Sequence, residues 1–394
     1  MMRPVPLAVL AGLVLLAGLF SGCATSSKPA RDFIRSIEEQ PLGEVAYIPN
    51  VDDFDYRDRQ YGYAPLDVIF RFWGIRIPRR ELAQLLANTG MELATSQEQM
   101  MNFSDHQGLW AFSQYGSMKE VETRVAAGMP VIVLFQEGTR DAFVRRYAVV
   151  VGFNRVNKTI LCHEGADGPV VYSYSRFRLL CRPLRYWMLT VCPPEIISWP
   201  MSYLEIAARA KFYEKRGRYE EAIADWERAL AQQPENVDLL LAVGNTYRHA
   251  GMMPQAEQLY RRAIGINNMH ARACNNLAFL LVEQHRNLDE ALLLARRATL
   301  LEPNNPAALD TLGMILIQQG NYADAANVLE KARRRSRNLS DQAQTAISLR
   351  LAEAYHLHGQ DHLVLQVLRD LLERFPETAL PDEYRELLPL LLAP

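Results

Sequence analysis

Few side chains in this 394-residue sequence are spaced for covalent chemistry, and those that are have unsuitable neighbours. In QYGYAPLDVIFRFWG (residues 60–74) a turn containing Gly62 leads to Pro65, which has no N–H to lose in a first helical turn, and then to an apolar helix. The start of such a helix favours a thiolate over a thiol, so the residue just before it is a natural seat for a nucleophile. Tyr61 holds that seat, no nearby Cys can replace it, and a phenol of pKa about 10 is mostly protonated at neutral pH. Further on, RYAVVVGFN brings Arg146, whose guanidinium cannot act as a base, and ILCHEGADG brings Glu164, a carboxylate with nothing obvious to orient. Cys162 and His163 are adjacent on a predicted strand, where successive residues point to opposite faces, so they do not form a working pair. His106, on a predicted helix, reads as an ordinary surface or core histidine.

These stretches together resemble the bacteriocin-processing, double-glycine-leader peptidase family. Its nucleophile run reads Gln-Cys-Gly-Pro-Ala-Ala-Leu and continues as an apolar helix ending in an aromatic-Gly pair; here Gln60, Gly62, Ala64, Leu66, Trp73 and Gly74 match, and Tyr61 stands at the cysteine. AAGMPVIVLF (residues 126–135) is similar to the family's Gly-x-Pro-Val-Ile-Val strand, and RYAVVVGFN to its His-Tyr-Val-Val-Val-x-Gly-Tyr-Asp strand, with Arg146 at the histidine. Glu164 and Gly165 stand where that family has the imidazole-orienting Asp and its following Pro. The oxyanion Gln falls on Asp55 or Tyr56, with Asn50 the nearest amide. The resemblance covers about 150 residues and implies a papain-like fold that has lost nucleophile, base and oxyanion donor together. A Cys–His pair works because a low-pKa thiolate attacks while imidazole moves the proton. What the resemblance leaves is a cleft that binds extended peptide through Tyr61, Tyr63 and Arg146, with Phe54 and Tyr56 nearby. The alternative is an active cysteine peptidase with an unrecognised catalytic arrangement.

The elements needed to position these residues follow from periodicity. Helices are predicted over 65–73, 79–88, 105–115 with Ser104 as N-cap, and 118–127 closed by Gly128. Short β-branched or aromatic runs follow at 131–135, 147–153, 159–162, 170–174 and 186–191, separated by Gly, Asn, Asp and Pro. Helices first and antiparallel strands afterwards make an α+β layout, the order expected of a papain-like domain.

The charge balance, 43 basic against 45 acidic residues, carries no polyanion-binding signature, which argues against nucleic acid as a partner. Residues 1–22 hold one early Arg3 and the run VPLAVLAGLVLLAGLF before Ser21-Gly22, a secretory signal. The ending LFSGC resembles a bacterial lipobox, which implies lipidation of Cys23, and Ala24 after it implies the outer membrane, facing the periplasm. Residues 23–42 are expected to tether the chain. Cys162, Cys181, Cys192 and Cys274 would then sit in an oxidising compartment; one pair among the first three bridging neighbouring strands and buried free thiols are equally open. No CxxC pair or His/Cys spacing suggests zinc, and no cofactor is expected.

After Pro193-Pro194 and a linker over 195–202, the chain repeats at about 34 residues, the spacing of tetratricopeptide repeats, which it resembles. Units start at Tyr203, Val237, Ala271 and Pro306, with a fifth over 345–378; Ala210, Tyr213, Gly217, Ala222, Trp226, Ala229 and Pro234 are echoed by Gly244, Tyr247, Gly251, Ala256, Tyr260 and Ala263. The third unit carries one extra residue near Arg286. Residues 379–394 are expected to cap the array. The first helices of such units line a groove, here with Lys211, Asn245, Arg248, Arg272, Asn275, Phe279 and Met314, where amides and cations can hold a peptide backbone or terminal carboxylate. The expected architecture is thus an α+β papain-like domain over 43–194 followed by an all-α tetratricopeptide-repeat solenoid over 203–378, acting on protein or peptide clients at a membrane.

Overall fold

The β-branched runs between residues 131 and 191 pair, as their alternation requires, into one antiparallel sheet. The computed structural model describes residues 28–38, 40–41, 43–52, 64–78, 97–138, 142–165, 168–381 and 384, in two units that divide at Pro200 and Met201. In the first unit the strands are β1 (Val45–Tyr47), β2 (Trp110–Tyr115), β3 (Val131–Gly138), β4 (Phe143–Asn154), β5 (Thr159–His163), β6 (Pro169–Ser173) and β7 (Trp187–Cys192). Their order is β2-β7-β3-β4-β5-β6, with β1 paired to the far end of β4. Every β4 residue from Tyr147 to Asn154 is buried, so this strand is covered on both faces. Five helices among the described residues cover the sheet: α1 (Lys28–Glu38), α2 (Ala64–Phe72), α3 (Gln97–His106), α4 (Met118–Ala126) and α5 (Tyr174–Cys181).

Helix α2 forms where expected. Pro65, Leu66, Val68, Ile69 and Phe70 are buried along it, and Gly74 at φ +77° stops it, with Gly74 N–H donating to Arg71 C=O and Ile75 N–H to Phe70 C=O. The Trp73 indole then donates to Val191 C=O at 2.9 Å, pinning the helix end to β7.

Two expectations are corrected. Lys28–Glu38, assigned to the tether, is a helix: Ala30, Phe33, Ile34 and Ile37 fall at helical spacing, and Ala30 and Phe33 are buried in the core. A Cβ on Gly152 would stand 3.0 Å from the Phe33 ring, so the helix lies close on β4. The helix predicted over 105–115 does not exist. Helix α3 ends at His106, Gly108 takes φ +80°, Ser104 is an interior residue whose hydroxyl donates to Met100 C=O, and Trp110–Tyr115 is strand β2. The aromatic alternation after a helix-stopping glycine outweighed the local cap signal. The helix predicted over 79–88 lies outside the described residues, except that 79–88 begins just past Pro78.

The second unit contains ten helices among the described residues, in five pairs: α6 (Tyr203–Glu214) with α7 (Tyr219–Gln232), α8 (Val237–His249) with α9 (Met253–Ile266), α10 (Ala271–Glu283) with α11 (Leu288–Leu301), α12 (Pro306–Gln318) with α13 (Tyr322–Arg335), and α14 (Asp341–Leu357) with α15 (Asp361–Arg374). Their phase is set by side-chain caps at Ser202, Asn236, His270, Asn305 and Ser340, spaced 34, 34, 35 and 35 residues apart, each accepting from an N–H of the first turn. Glycines at φ +68° to +78° turn the pairs at 217, 251, 320 and 359; the third pair instead uses the extra residue, with His285 and Asn287 left-handed. The fifth pair starts at Asp341, four residues before its expected start at Thr345. Of residues 379–394 too few are described to test the expected cap.

Close approach within a pair depends on a missing side chain. A Cβ on Gly244 would stand 2.5 Å from Cε1 of Tyr260, and one on Gly313 2.4 Å from Cγ of Leu329. Gly244→Ala should therefore lower stability by about 1–3 kcal/mol through overpacking, although alanine is the better helix former by about 1 kcal/mol. Gly265→Ala on α9, with open space around its Cβ, should be neutral or stabilising. Urea unfolding followed by helical circular dichroism separates these signs.

Candidate functional site

In the first unit the sheet register brings the expected residues Arg146 and Glu164 together with unexpected ones from β3 and β6. Arg146 on β4 pairs with Phe135 on β3, which puts both on the face that also carries Glu137 two residues along. On β5, Cys162 opposes Val150, so Glu164 just beyond the strand falls on the same face, and Tyr172 on β6 opposes Ile160 there. Helix α5 closes over it, with Phe177 stacked edge-on against Phe135 at 5.5 Å between centroids.

The geometry around Arg146 is a closed network. Its Nε donates to Glu164 at 3.1 Å, Nη1 to Glu137 at 2.5 Å and Nη2 to the Tyr172 hydroxyl at 3.4 Å, while the guanidinium carbon lies 5.7 Å from the Phe135 ring centre. Arg176 on α5 makes a second ion pair with Glu137. The arrangement is two cations and two carboxylates, with Glu164 13% exposed and Arg146 23%. Burial pulls the Arg146 guanidinium down, but its bonds to Glu137 and Tyr172 outweigh this and leave it above its ordinary value. The bond from Arg146 holds Glu137 below the usual carboxylate range. Burial and the Glu164 carboxylate push the Tyr172 phenol up, so it stays protonated and available as a donor. Arg146 and Glu164, both named from the sequence, thus meet as an ion pair.

Arg146 was also expected to contact peptide. All three of its nitrogens are engaged by neighbouring side chains, and the residue is 23% exposed. Tyr61 and Tyr63 lie outside the described residues, as do Phe54, Asp55 and Tyr56. Asn50 is exposed with φ +61°. Cys162, Cys181, Cys192 and Cys274 are buried free thiols. Burial pushes the Cys162 and Cys181 thiols up, the opposite of what a nucleophile requires. His163 is buried. Among the described residues no group of three His, Cys, Asp or Glu side chains is placed to hold a metal ion, and no helix is long and apolar enough to cross a membrane.

In the second unit α8, α10, α12 and α14 pack side by side, and they carry the expected groove residues Asn245, Arg248, Arg272, Asn275, Phe279 and Met314, while Lys211 is on α6. Most of their polar groups are already used between repeats. Asn245 Oδ1 accepts from the Tyr260 hydroxyl at 2.7 Å and Asn276 Nδ2 at 3.0 Å. Arg248 lies 5.1 Å from the Phe279 ring centre and 3.5 Å from Glu283, and Arg272 pairs with Asp238. Lys211 is exposed, whereas Asn275, Phe279 and Met314 are half-buried. The Asn275 Oδ1 is sealed from solvent without a partner among the described residues.

Sequence reasoning missed the pair Asp310–Arg350, which joins α12 to α14. Burial raises the Asp310 carboxyl and Arg350 opposes the shift. The signal was present: Asp310 is the fifth residue of α12, as Asn275 is of α10. The row's cations are therefore largely neutralised by carboxylates of adjacent repeats, which suits neutral polar or apolar peptide better than a terminal carboxylate.

Residues 208–273, 276–340 and 311–377 match the family described as Tetratricopeptide repeat, so this part of the chain is built of such repeats, which bind protein or peptide partners. The type IV pilus assembly protein PilF of Pseudomonas aeruginosa is 29% identical over 143 residues, 36% of this chain and 54% of that protein. TPR repeat-containing protein PA4667 of the same organism is 32% identical over 109 residues, 28% of this chain and 18% of that protein. The chain thus spans about half the length of the first relative and under a fifth of the second. Among solved structures, the MamA protein is 21% identical with a TM-score of 0.36, covering 45% of this chain and 96% of that one.

Arg146→Met should destabilise the first unit by about 2 kcal/mol, because it leaves two carboxylates without their shared cation, and adding Glu164→Gln should recover part of the loss. Because the folded Glu137 carboxyl is depressed, its contribution is complete above its unfolded value near 4.5 and disappears as pH falls through the lowered one. The gap between wild type and variant should accordingly narrow in acid, which urea unfolding followed by tryptophan fluorescence at several pH values measures.

Proposed function

We propose that this chain is a lipid-anchored envelope protein in which a papain-like peptidase domain, stripped of its chemistry, is retained as a peptide-binding module beside a repeat array that docks partner proteins. The observation that carries the reading is the Arg146–Glu164 ion pair, which stands at the two positions where the resembled peptidases keep imidazole and carboxylate. A guanidinium preserves the cross-strand link and cannot shuttle a proton. The buried, upward-shifted Cys162 thiol speaks against a relocated nucleophile and so against the alternative of an active cysteine peptidase. With Arg146 committed to the sheet, peptide contact falls to Tyr61 and Tyr63, ahead of α2.

The tetratricopeptide repeats supply the interaction scaffold. The relative named as a type IV pilus assembly protein supports an assembly role, in the export or maturation of a peptide, protein or polymer at the envelope. Cys23 supplies the anchor, on the periplasmic face of the outer membrane.

Two measurements test this reading. Incubation with extended peptides should give no cleavage above a buffer control, with or without a thiol-reactive inhibitor; inhibitor-sensitive turnover would contradict it. In cells, Cys23→Ser should move the protein from the membrane to the soluble fraction and abolish incorporation of labelled palmitate, whereas unchanged fractionation would remove the anchor from the account.

A further inference from the structure

The segment RFRLLCRPLR becomes a definite surface in the folded chain. Arg178, Arg182 and Arg185 are exposed and make no ion pair with any described residue, unlike Arg176, which is bonded to Glu137. Arg178 and Arg182, four residues apart from α5 into the 3-10 turn at Arg182–Leu184, share one helix face, and Arg185 follows as the cap of that turn. Two of them are held in place by aromatic rings: Arg178 lies 5.8 Å from the Tyr174 ring centre and Arg185 5.6 Å from that of Tyr115.

Exposed apolar groups accompany the cations, Leu179 next to Arg178 in the chain and Tyr115 beneath Arg185. Leu179 is 62% exposed and Tyr115 61%. Arg185 and Tyr186 both adopt φ +53°, a left-handed conformation that side chains with a Cβ rarely take, and their carbonyls accept from Gly116 N–H, which fastens the turn to the end of β2. Two carboxylates lie nearby and are already engaged: Glu122 accepts from the Tyr174 hydroxyl at 2.7 Å, and Glu120 packs at Gly116 and accepts from Ser117 Oγ at 2.9 Å.

We propose that this stripe binds a phospholipid bilayer carrying anionic headgroups. Each arginine near such a surface adds a similar increment of attraction, and an exposed leucine and tyrosine beside them can enter the headgroup region, where an apolar body and a polar rim both find partners. A formal net charge of −2 over the whole chain keeps the attraction local to the stripe, within a Debye length of about 8 Å. The choice of a lipid surface over an acidic protein rests on the anchor reading above. Helix α1 begins at Lys28, five residues after Cys23, and five extended residues reach at most ~18 Å, so an anchored Cys23 holds the first unit against the bilayer. Helices α1 and α5 both pack on β6.

The test uses the chain from residue 23 onward with Cys23→Ser, since the apolar run before it would enter vesicles unaided and lipidation would mask the stripe. Co-sedimentation with phosphatidylcholine vesicles containing about a third phosphatidylglycerol is compared with phosphatidylcholine alone. The proposal expects binding only to the anionic vesicles and weakening with added salt. Arg178→Gln, Arg182→Gln and Arg185→Gln together should reduce partitioning about 100-fold, and Leu179→Ser alone a few-fold, with unchanged circular dichroism. Equal binding to both vesicle types, or no effect of the triple substitution, overturns the proposal, as does binding to polyglutamate with none to vesicles. Because the protein assayed cannot be lipidated, absence of palmitate at Cys23 in cells would overturn the anchor and leave the vesicle result standing.

Discussion

A guanidinium placed on a sheet face beneath a helix must be compensated, and this requirement organises the first unit. Arg146 is about three-quarters buried, and removing such a charge from water is tolerated only when partners replace the lost hydration. Glu137, Glu164 and Tyr172 do so from three neighbouring strands, so the network depends on the register of β3, β4, β5 and β6 together. A one-residue slip of any strand would turn its partner to the opposite face. Arg176 ties α5 into the same network, and α5 in turn carries the basic stripe.

The repeat unit solves a different problem with different means. Each helix pair approaches closely because glycine or alanine faces a large residue on its partner: Gly244 lies under Tyr260, and Gly313 under Leu329. Between pairs, Asp238–Arg272, Arg248–Glu283 and Asp310–Arg350 neutralise one another along the row of first helices. Pairs as exposed as Asp238–Arg272 contribute little to stability.

How much of this was legible in the sequence depended on how local the determining forces are. The first four repeats were legible to the residue, because small and aromatic residues such as Ala222 and Trp226, then Ala256 and Tyr260, recur at about 34 residues and each helix pair repeats one packing problem; the fifth starts four residues earlier than expected. The strands from β3 to β7 were legible from their β-branched runs. Helix α1 was not, since its amphipathic face of Ala30, Phe33, Ile34 and Ile37 was concealed by the Lys and Pro at its start, and only the folded sheet, at β1, β4 and β6, gives that face something to cover. Strand β2 was misread as helix because pairing with β7, some 70 residues away, decides it. Arg146 and Glu164 could be named from the sequence, but Glu137 and Tyr172 could not, because their proximity is a product of register alone.

The account is tested most directly by rebuilding the absent pair. Tyr61→Cys introduces a thiol three residues ahead of α2 in the sequence, and Arg146→His an imidazole on β4; alkylation by iodoacetamide across pH reads the thiol's ionisation in the single and double variants. If the unit has the peptidase framework proposed, the thiol of the double variant should ionise well below the ordinary cysteine value of about 8.5, and that of Tyr61→Cys alone should stay closer to it. Identical profiles in a folded double variant would show that the two positions do not face each other, and the reading of this domain as a disarmed peptidase would be wrong.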